Sequence, residues 1–305
     1  MPNVSFRTRA RRRVRRDITL GLATLLNRLP RRTAVRLGRV LGRTLAVTCR
    51  SERQKAVVRV ADALELSHEA ASELVERCAS AFGGHLADAL RLENMSSDEL
   101  RDIVRLDGLE HLSQALERGH GAILLSAHIG NWEMLAAALS DAGVPLSVIG
   151  RKPSDPVYAE RLERIRRRWG VATLWREHGA RPIFRALENG RAVGALIDQA
   201  TRVGSVRVPF FNRPAWTPVG PARIAVRTRA PVIPVHMVRR HDDSNRYIGV
   251  IEPEIVSNGD TPEVITGIWT ARIEEWIRDA TDSWVWMHYR WQDVPSSLRS
   301  NTEAR

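Results

Sequence analysis

Gly121–Glu133 reads GAILLSAHIGNWE. Residues 122–127 form a short, almost wholly apolar run of the kind that makes a strand buried on both faces. His128 comes as the run ends, then Gly130, then Asn131 where a helix N-cap belongs, and Glu133 in the first turn. In one continuous helix His128 and Glu133 would lie about 140° apart around the axis. With His128 on a loop at the strand's end, and Gly130 free to take a positive φ, the two side chains can turn towards each other. A histidine held by a carboxylate at the carboxyl edge of a sheet, beside a helix N-terminus, is arranged for proton transfer next to an anion-stabilising dipole. The same residues also fit a plain structural histidine, and only companions further along the chain separate the two.

Downstream, apolar strand candidates at 145–150, 171–174, 192–197, 232–238 and 247–251 alternate with helical stretches at 131–142, 157–169, 180–188, 218–229 and 262–280. That order predicts an α/β fold: a mostly parallel central sheet with helices on both faces. An amino-terminal helical segment precedes it, since 56–66, 67–92 and 97–117 read as helices with interruptions. In such sheets functional groups gather at the carboxyl ends of the strands. Three polar residues stand at such ends: His128, Arg151 and Asp198. Asp198 is therefore a second candidate for orienting His128, with Gln199 as a hydrogen-bonding neighbour, although Glu133 is the preferred partner. Arg151 and Lys152 suit phosphate, the first through its planar fork. His236 lies inside its strand, and His68, His85 and His111 lack metal-ligand spacing; all four read as structural or solvated.

The net charge of +12 is unevenly placed. Sixteen of the 47 Lys and Arg lie in 1–55, against only Asp17 and Glu52, so the rest of the chain is close to neutral. Arg11, Arg12, Arg13, Arg15 and Arg16 form a cluster; Arg32, Arg36, Arg39 and Arg43 share one helical face, with Leu37, Leu41 and Leu45 opposite. A basic face opposite an apolar one fits a helix lying on an anionic bilayer, and equally a surface helix packed on the domain. The near-neutral body argues against nucleic acid as the partner. No window approaches the ~20 apolar residues of a spanning helix. Nor does 18–29 read as a signal peptide, because Arg28, Pro30, Arg31 and Arg32 stand where small cleavage-site residues belong. The expected organisation is a membrane-associating segment at 1–55 and one domain at 56–305. Cys49 and Cys78 offer no disulfide framework.

HIGNWE resembles the H-x4-D/E block of glycerolipid-type acyltransferases. Its Gly-Asn-Trp is most similar to the late lauroyl and myristoyl acyltransferases of lipid A biosynthesis and to the phosphatidylinositol mannoside acyltransferases. GRKPSDP at 150–156 resembles the second block of that family. Val208-Pro209-Phe210-Phe211-Asn212-Arg213-Pro214-Ala215 resembles a third, with Asn212 where glycine is common. APVIPVHMVR at 230–239 matches a fourth, and Trp284, Trp286, His288, Tyr289, Arg290 and Trp291 resemble the aromatic-basic ending. The resemblance implies acyl transfer from an acyl-acyl carrier protein or acyl-coenzyme A thioester to a hydroxyl of a glycolipid acceptor, with no metal or cofactor. It implies His128 as general base in a ternary complex, oriented by Glu133 or Asp198. Asn131, Trp132, Arg151, Lys152, Gln199, Phe210, Phe211 and Arg213 are the expected substrate-binding residues. Phe210 and Phe211 either line an acyl channel or plug the space under a long loop. Peripheral attachment to the cytoplasmic face of the inner membrane is the implied location. A lysophosphatidic acid acyltransferase and a non-enzymatic membrane or nucleic-acid binder are the alternatives.

Overall fold

The computed structural model describes residues 17, 20–201, 204–240, 245–257 and 259–291. The arginine cluster at 11–16, Ile18 and Arg202 lie outside the described residues. The chain opens with helices: α1 (20–28), α2 (Arg31–Thr48), α3 (Arg50–Leu64), α4 (His68–Arg91) and α5 (Ser97–Ile103). Next are β1 (Val104–Asp107), α6 (Leu109–Glu117), β2 (Ala122–Ser126), α7 (Trp132–Asp141), β3 (Leu146–Gly150) and α8 (Pro156–Arg168). Then come β4 (Ala172–Trp175), α9 (Arg181–Glu188), β5 (Ala192–Leu196), β6 (Ser205–Phe210) and β7 (Arg213–Pro218). The last elements are α10 (Gly220–Thr228), β8 (Val232–Arg239), β9 (Tyr247–Ile251) and α11 (Pro262–Asp279).

The sheet order is β1-β9-β8-β2-β5-β3-β4. Pairing is parallel except between β8 and β9, so the fold is the expected α/β one with a mostly parallel sheet. The central position of β2 explains its composition: all five residues are buried, and a strand covered on both faces needs a continuous apolar run rather than alternation. One apolar cluster lies on one face of the sheet, around Ile123, Leu125, Val193, Trp269 and Ile273. Another lies on the opposite face, around Leu124, Met134, Leu139, Ile233 and Tyr247.

Two elements depart from the sequence reading. The helix expected over 97–117 is broken by β1, a four-residue strand flanked by the capping box Ser96–Glu99 upstream and by Gly108 at φ +81° downstream. The loop expected between β5 and α10 contains the β6–β7 hairpin. Its two turn residues, Phe211 (φ +50°) and Asn212 (φ +54°), both adopt the left-handed conformation that a two-residue hairpin with matching twist requires. Asn212 thus does what glycine would do there.

The described part of the amino-terminal segment is docked on the domain. Gly38 and Gly42 of α2 meet Gly83 of α4 backbone to backbone, and a Cβ on Gly83 would stand 2.1 Å from the Gly38 carbonyl oxygen. Arg31 makes a bidentate contact with the fully buried Asp88 (2.8 and 2.7 Å), which also accepts from Tyr247 Oη at 2.9 Å. Leu37 packs beside Leu26, Ala34 and Ala87. The expected apolar stripe is therefore only partly open: Leu45 is exposed, together with Val40 and Val47 of α2. Among the described residues no helix is long and apolar enough to cross a membrane.

Burial also sets the pH response of the core. His236 of β8 stacks on Trp276 of α11 at 4.5 Å and lies 3.7 Å from Glu252. Burial, with Arg272 nearby, lowers its pKa to about 4, so the imidazole is neutral at physiological pH and the contact with Glu252 is not an ion pair there. A histidine with a lowered folded pKa contributes stability that is present above its ordinary value and lost as pH falls towards 4. His85 is shifted in the same direction, by complete burial and then by Arg239 and Arg39. The urea midpoint should therefore fall between pH 6.5 and 4, with a shallower slope in His236→Phe, which keeps the stack but cannot titrate. An identical slope in the variant would contradict this reading.

Candidate active site

β2 and β5 are adjacent, parallel and in register, with Ser126 opposite Leu196. Two residues beyond each partner, the chain reaches His128 on one strand and Asp198 on the other, which sets them side by side at the carboxyl edge. His128 Nδ1–H donates to Asp198 Oδ1 at 2.8 Å. Asp198 Oδ2 accepts the backbone N–H of His128 at 2.9 Å and Trp284 Nε1–H at 2.8 Å. The carboxylate is only 2% exposed. Burial opposes its charge, but the His128 imidazole and the three hydrogen bonds outweigh burial and hold the carboxyl well below the ordinary range. With Nδ1 committed, Nε2 is the His128 nitrogen available to the cleft that this residue lines.

The turn into α7 is built for close approach. Gly130 sits at φ +61°, and a Cβ there would lie 2.2 Å from the Met237 carbonyl oxygen on β8. Its N–H donates to the Ser283 carbonyl at 2.9 Å. Asn131 caps α7 by accepting Met134 N–H at 3.3 Å, as expected of an N-cap, and donates to the His85 carbonyl at 2.9 Å. It is buried and structural rather than open to the cleft. Trp132 lies edge-on to the His128 ring at 4.9 Å, with Phe82 of α4 at 6.3 Å on its other side.

Glu133 does not orient His128. Once Asn131 starts the helix, the second helical position points towards α8, where Arg166 takes both carboxylate oxygens at 3.0 and 2.5 Å. Both residues line the cleft. Gln199 also lines it and lies 2.7 Å from His288 Nε2. The His288 ring is 5.6 Å from that of His128, and burial, then the charge of His128, lowers its pKa.

The remaining expected residues divide. Arg151 lines the cleft, whereas Lys152 is exposed and does not. Phe210 and Phe211 do not line the cleft: they are 0% and 2% exposed and pack on Trp284, Trp286 and Trp291, forming the plug behind Asp198. Arg213 pairs with Asp62 at 3.2 Å and lies over Trp291, outside the cleft. Sequence reasoning does not single out Arg166, Arg176, Trp284 or His288 for the site. For the last two the available signal is the Trp-x-Trp-x-His spacing, which on a strand-like segment places alternate residues on one face. Arg290, next to them, donates to the Trp216 carbonyl and Thr217 Oγ1 and so clamps the hairpin to this segment; burial lowers its pKa to about 10.

The cleft holds about 310 Å³. It adjoins a second cavity of about 330 Å³, with which it shares Ile149, Arg176, Leu196 and Thr201. Ile183, Ala195, Val219 and Ile224 give the second cavity its apolar wall.

Known proteins resemble this chain in sequence. A phosphatidylinositol mannoside acyltransferase of Mycobacterium tuberculosis is 34% identical over 168 residues, 52% of this chain and 53% of the relative. That of Mycolicibacterium smegmatis is 24% identical over 229 residues, 69% of this chain and 74% of the relative. A lipid A biosynthesis acyltransferase of Haemophilus influenzae is 27% identical over 183 residues, 59% of this chain and 56% of the relative. The match spans about half the length of the Mycobacterium tuberculosis relative. The model of the family described as bacterial lipid A biosynthesis acyltransferase matches residues 2–293, and the chain belongs to that family.

Proposed function

We propose that the protein transfers a fatty acyl chain from a thioester to a hydroxyl of a glycolipid, with His128 as general base. The observation that carries this reading is the pairing of His128 with a buried, ionised Asp198 beside a cleft of mixed polar and apolar lining, which adjoins a second, mainly apolar cavity. Asp198 holds the tautomer with the proton on Nδ1, so Nε2 can accept the acceptor hydroxyl's proton as its oxygen attacks the thioester carbonyl. The imidazolium returns that proton to the thiolate as the carbon–sulfur bond breaks. The amides of Asn131 and Trp132, at the positive end of α7, are the donors we assign to the oxyanion. No acyl-enzyme is invoked; donor and acceptor meet in one ternary complex.

The apolar cavity suits the acyl chain. Its wall and the cleft share Leu196 and Ile149, so a chain seated there would bring its carbonyl past His128. Arg151 and Arg176 line the cleft and suit a phosphate or phosphodiester on the acceptor or donor. They also favour a second reading, a lysophospholipid acceptor. For attachment, the exposed Val40, Leu45 and Val47 beside Arg32, Arg36 and Arg43 of α2 support peripheral contact with the anionic cytoplasmic face of the inner membrane.

Acyl transfer from both acyl carrier protein and coenzyme A thioesters to a glycolipid and to lysophosphatidic acid tests the reading. His128→Ala and Asp198→Asn should each lower turnover by about 10²-fold or more. Glu133→Gln should act mainly through KM, because it releases Arg166 into the cleft without touching the imidazole. An active His128→Ala protein, or an Asp198→Asn protein of parental turnover, would refute the mechanism. Separately, Ile183→Phe narrows the apolar cavity and should reduce turnover with long-chain donors more than with short ones. Equal effects across chain lengths would move the acyl chain elsewhere.

A further inference from the structure

A separate and more polar cavity, of about 540 Å³, opens between α2, α4 and the end of β8. It shares no lining residue with the His128 cleft, although Asp282 on its rim precedes Ser283, which accepts the Gly130 N–H. Four arginines line it: Arg39, Arg43, Arg77 and Arg239. We propose that this cavity binds the phosphate group of a phosphate ester.

The cations of the cavity are unevenly compensated. Three carboxylates also line it. Glu76 is occupied by Arg53 at 2.6 Å, which lies outside the lining, and by Arg43 at 3.3 Å. Glu73 faces Arg77 at 3.8 Å. Asp282 approaches Arg239 only to 3.8 Å, beyond hydrogen-bond length. Asp88, the buried acid nearby, is already committed to Arg31 and Tyr247.

Arg239 is consequently a largely buried guanidinium whose contact at hydrogen-bond length is a neutral imidazole, with Asp282 further off. Its Nη2 lies 3.2 Å from His85 Nε2, and complete burial keeps His85 uncharged. Its Nε is buried with no hydrogen-bond partner among the described residues. The charge of Arg239 also presses on Arg39, whose pKa is lowered first by burial and then by Arg239. A fold that gathers guanidinium groups and leaves one largely buried with a neutral partner and an unmatched N–H holds positive charge that an anion in the cavity would compensate.

The geometry points to phosphate in particular. Arginine donors line it from two helices and a strand end, so a tetrahedral group with two or three free oxygens can meet them from several directions. Ser80 adds a hydroxyl to the lining. The phosphate has two possible sources. A lipid headgroup is one, because Val40, Leu45 and Val47 are exposed on the same helix as Arg39 and Arg43; a soluble phosphate ester is the other.

Calorimetric titration of the full chain with inorganic phosphate is the test. The parent should bind, and Arg239→Gln should weaken binding about tenfold or more, the scale of one lost charge-assisted hydrogen bond. Asp282→Asn removes the competing carboxylate and should tighten binding several-fold, a gain that misfolding cannot mimic. Co-sedimentation with phosphatidylcholine vesicles, with and without phosphatidylglycerol, separates the sources. If Arg239→Gln also loses its preference for anionic vesicles, the ligand is a headgroup; if that preference is unchanged while phosphate binding falls, it is a soluble ester. A parent that binds no phosphate, or binding that is the same in the parent and both variants, would overturn the proposal.

Discussion

One buried carboxylate organises the active edge of this molecule. Asp198 accepts three N–H donors, from the His128 ring, the His128 backbone and the Trp284 indole. Those donors come from the end of β2 and from the segment after α11, while the carboxylate itself lies just beyond β5. Each bond to an ionised acceptor is worth about 1.5–3 kcal/mol, and an ionised group left unpaired in the interior costs more than that. The site and the fold therefore share a support: what orients the imidazole also fastens the carboxyl-terminal segment to the sheet. Trp284 in turn is packed by Phe210 and Trp286, so the buried aromatic group braces the indole that donates to Asp198.

Helix α4 links this site to the amino-terminal helices. On one side Phe82 reaches Trp132 and the His85 carbonyl accepts from Asn131. On the other, Gly83 admits α2 to backbone contact through Gly38. The exposed apolar and basic residues of α2 thus lie one helix away from the loop that carries His128. The basic and apolar surface of α2 and the His128 cleft are held in fixed relation by the same helix.

Much of this is legible in sequence because it depends on periodicity and strand ends. The unbroken run before His128 marks a central strand, and the polar residues that close the apolar runs mark the active edge. The choice between Glu133 and Asp198 is not legible. It depends on two facts that no local spacing encodes: β2 and β5 are neighbours, and Asn131 starts α7 so that Glu133 faces Arg166. β1 is hidden because four residues between a capped helix and a glycine give no alternation to read. The β6–β7 hairpin is masked by Pro209 and Pro214, which argue against strands, and by a turn in which Phe211 adopts a conformation usually left to Gly or Asn. That same turn buries Phe211, which is why two phenylalanines that suggest an acyl channel belong to the core.

The central claim is that Asp198 fixes the His128 tautomer and so leaves Nε2 as the base. Nitrogen-15 NMR of the imidazole, followed across a pH series to its neutral form, reads this directly. The parent should show a protonated Nδ1 and an unprotonated Nε2, with that preference weakened in Asp198→Asn and kept in Glu133→Gln. A His128 ring carrying its proton on Nε2, or a tautomer that tracks Glu133 instead, would contradict it.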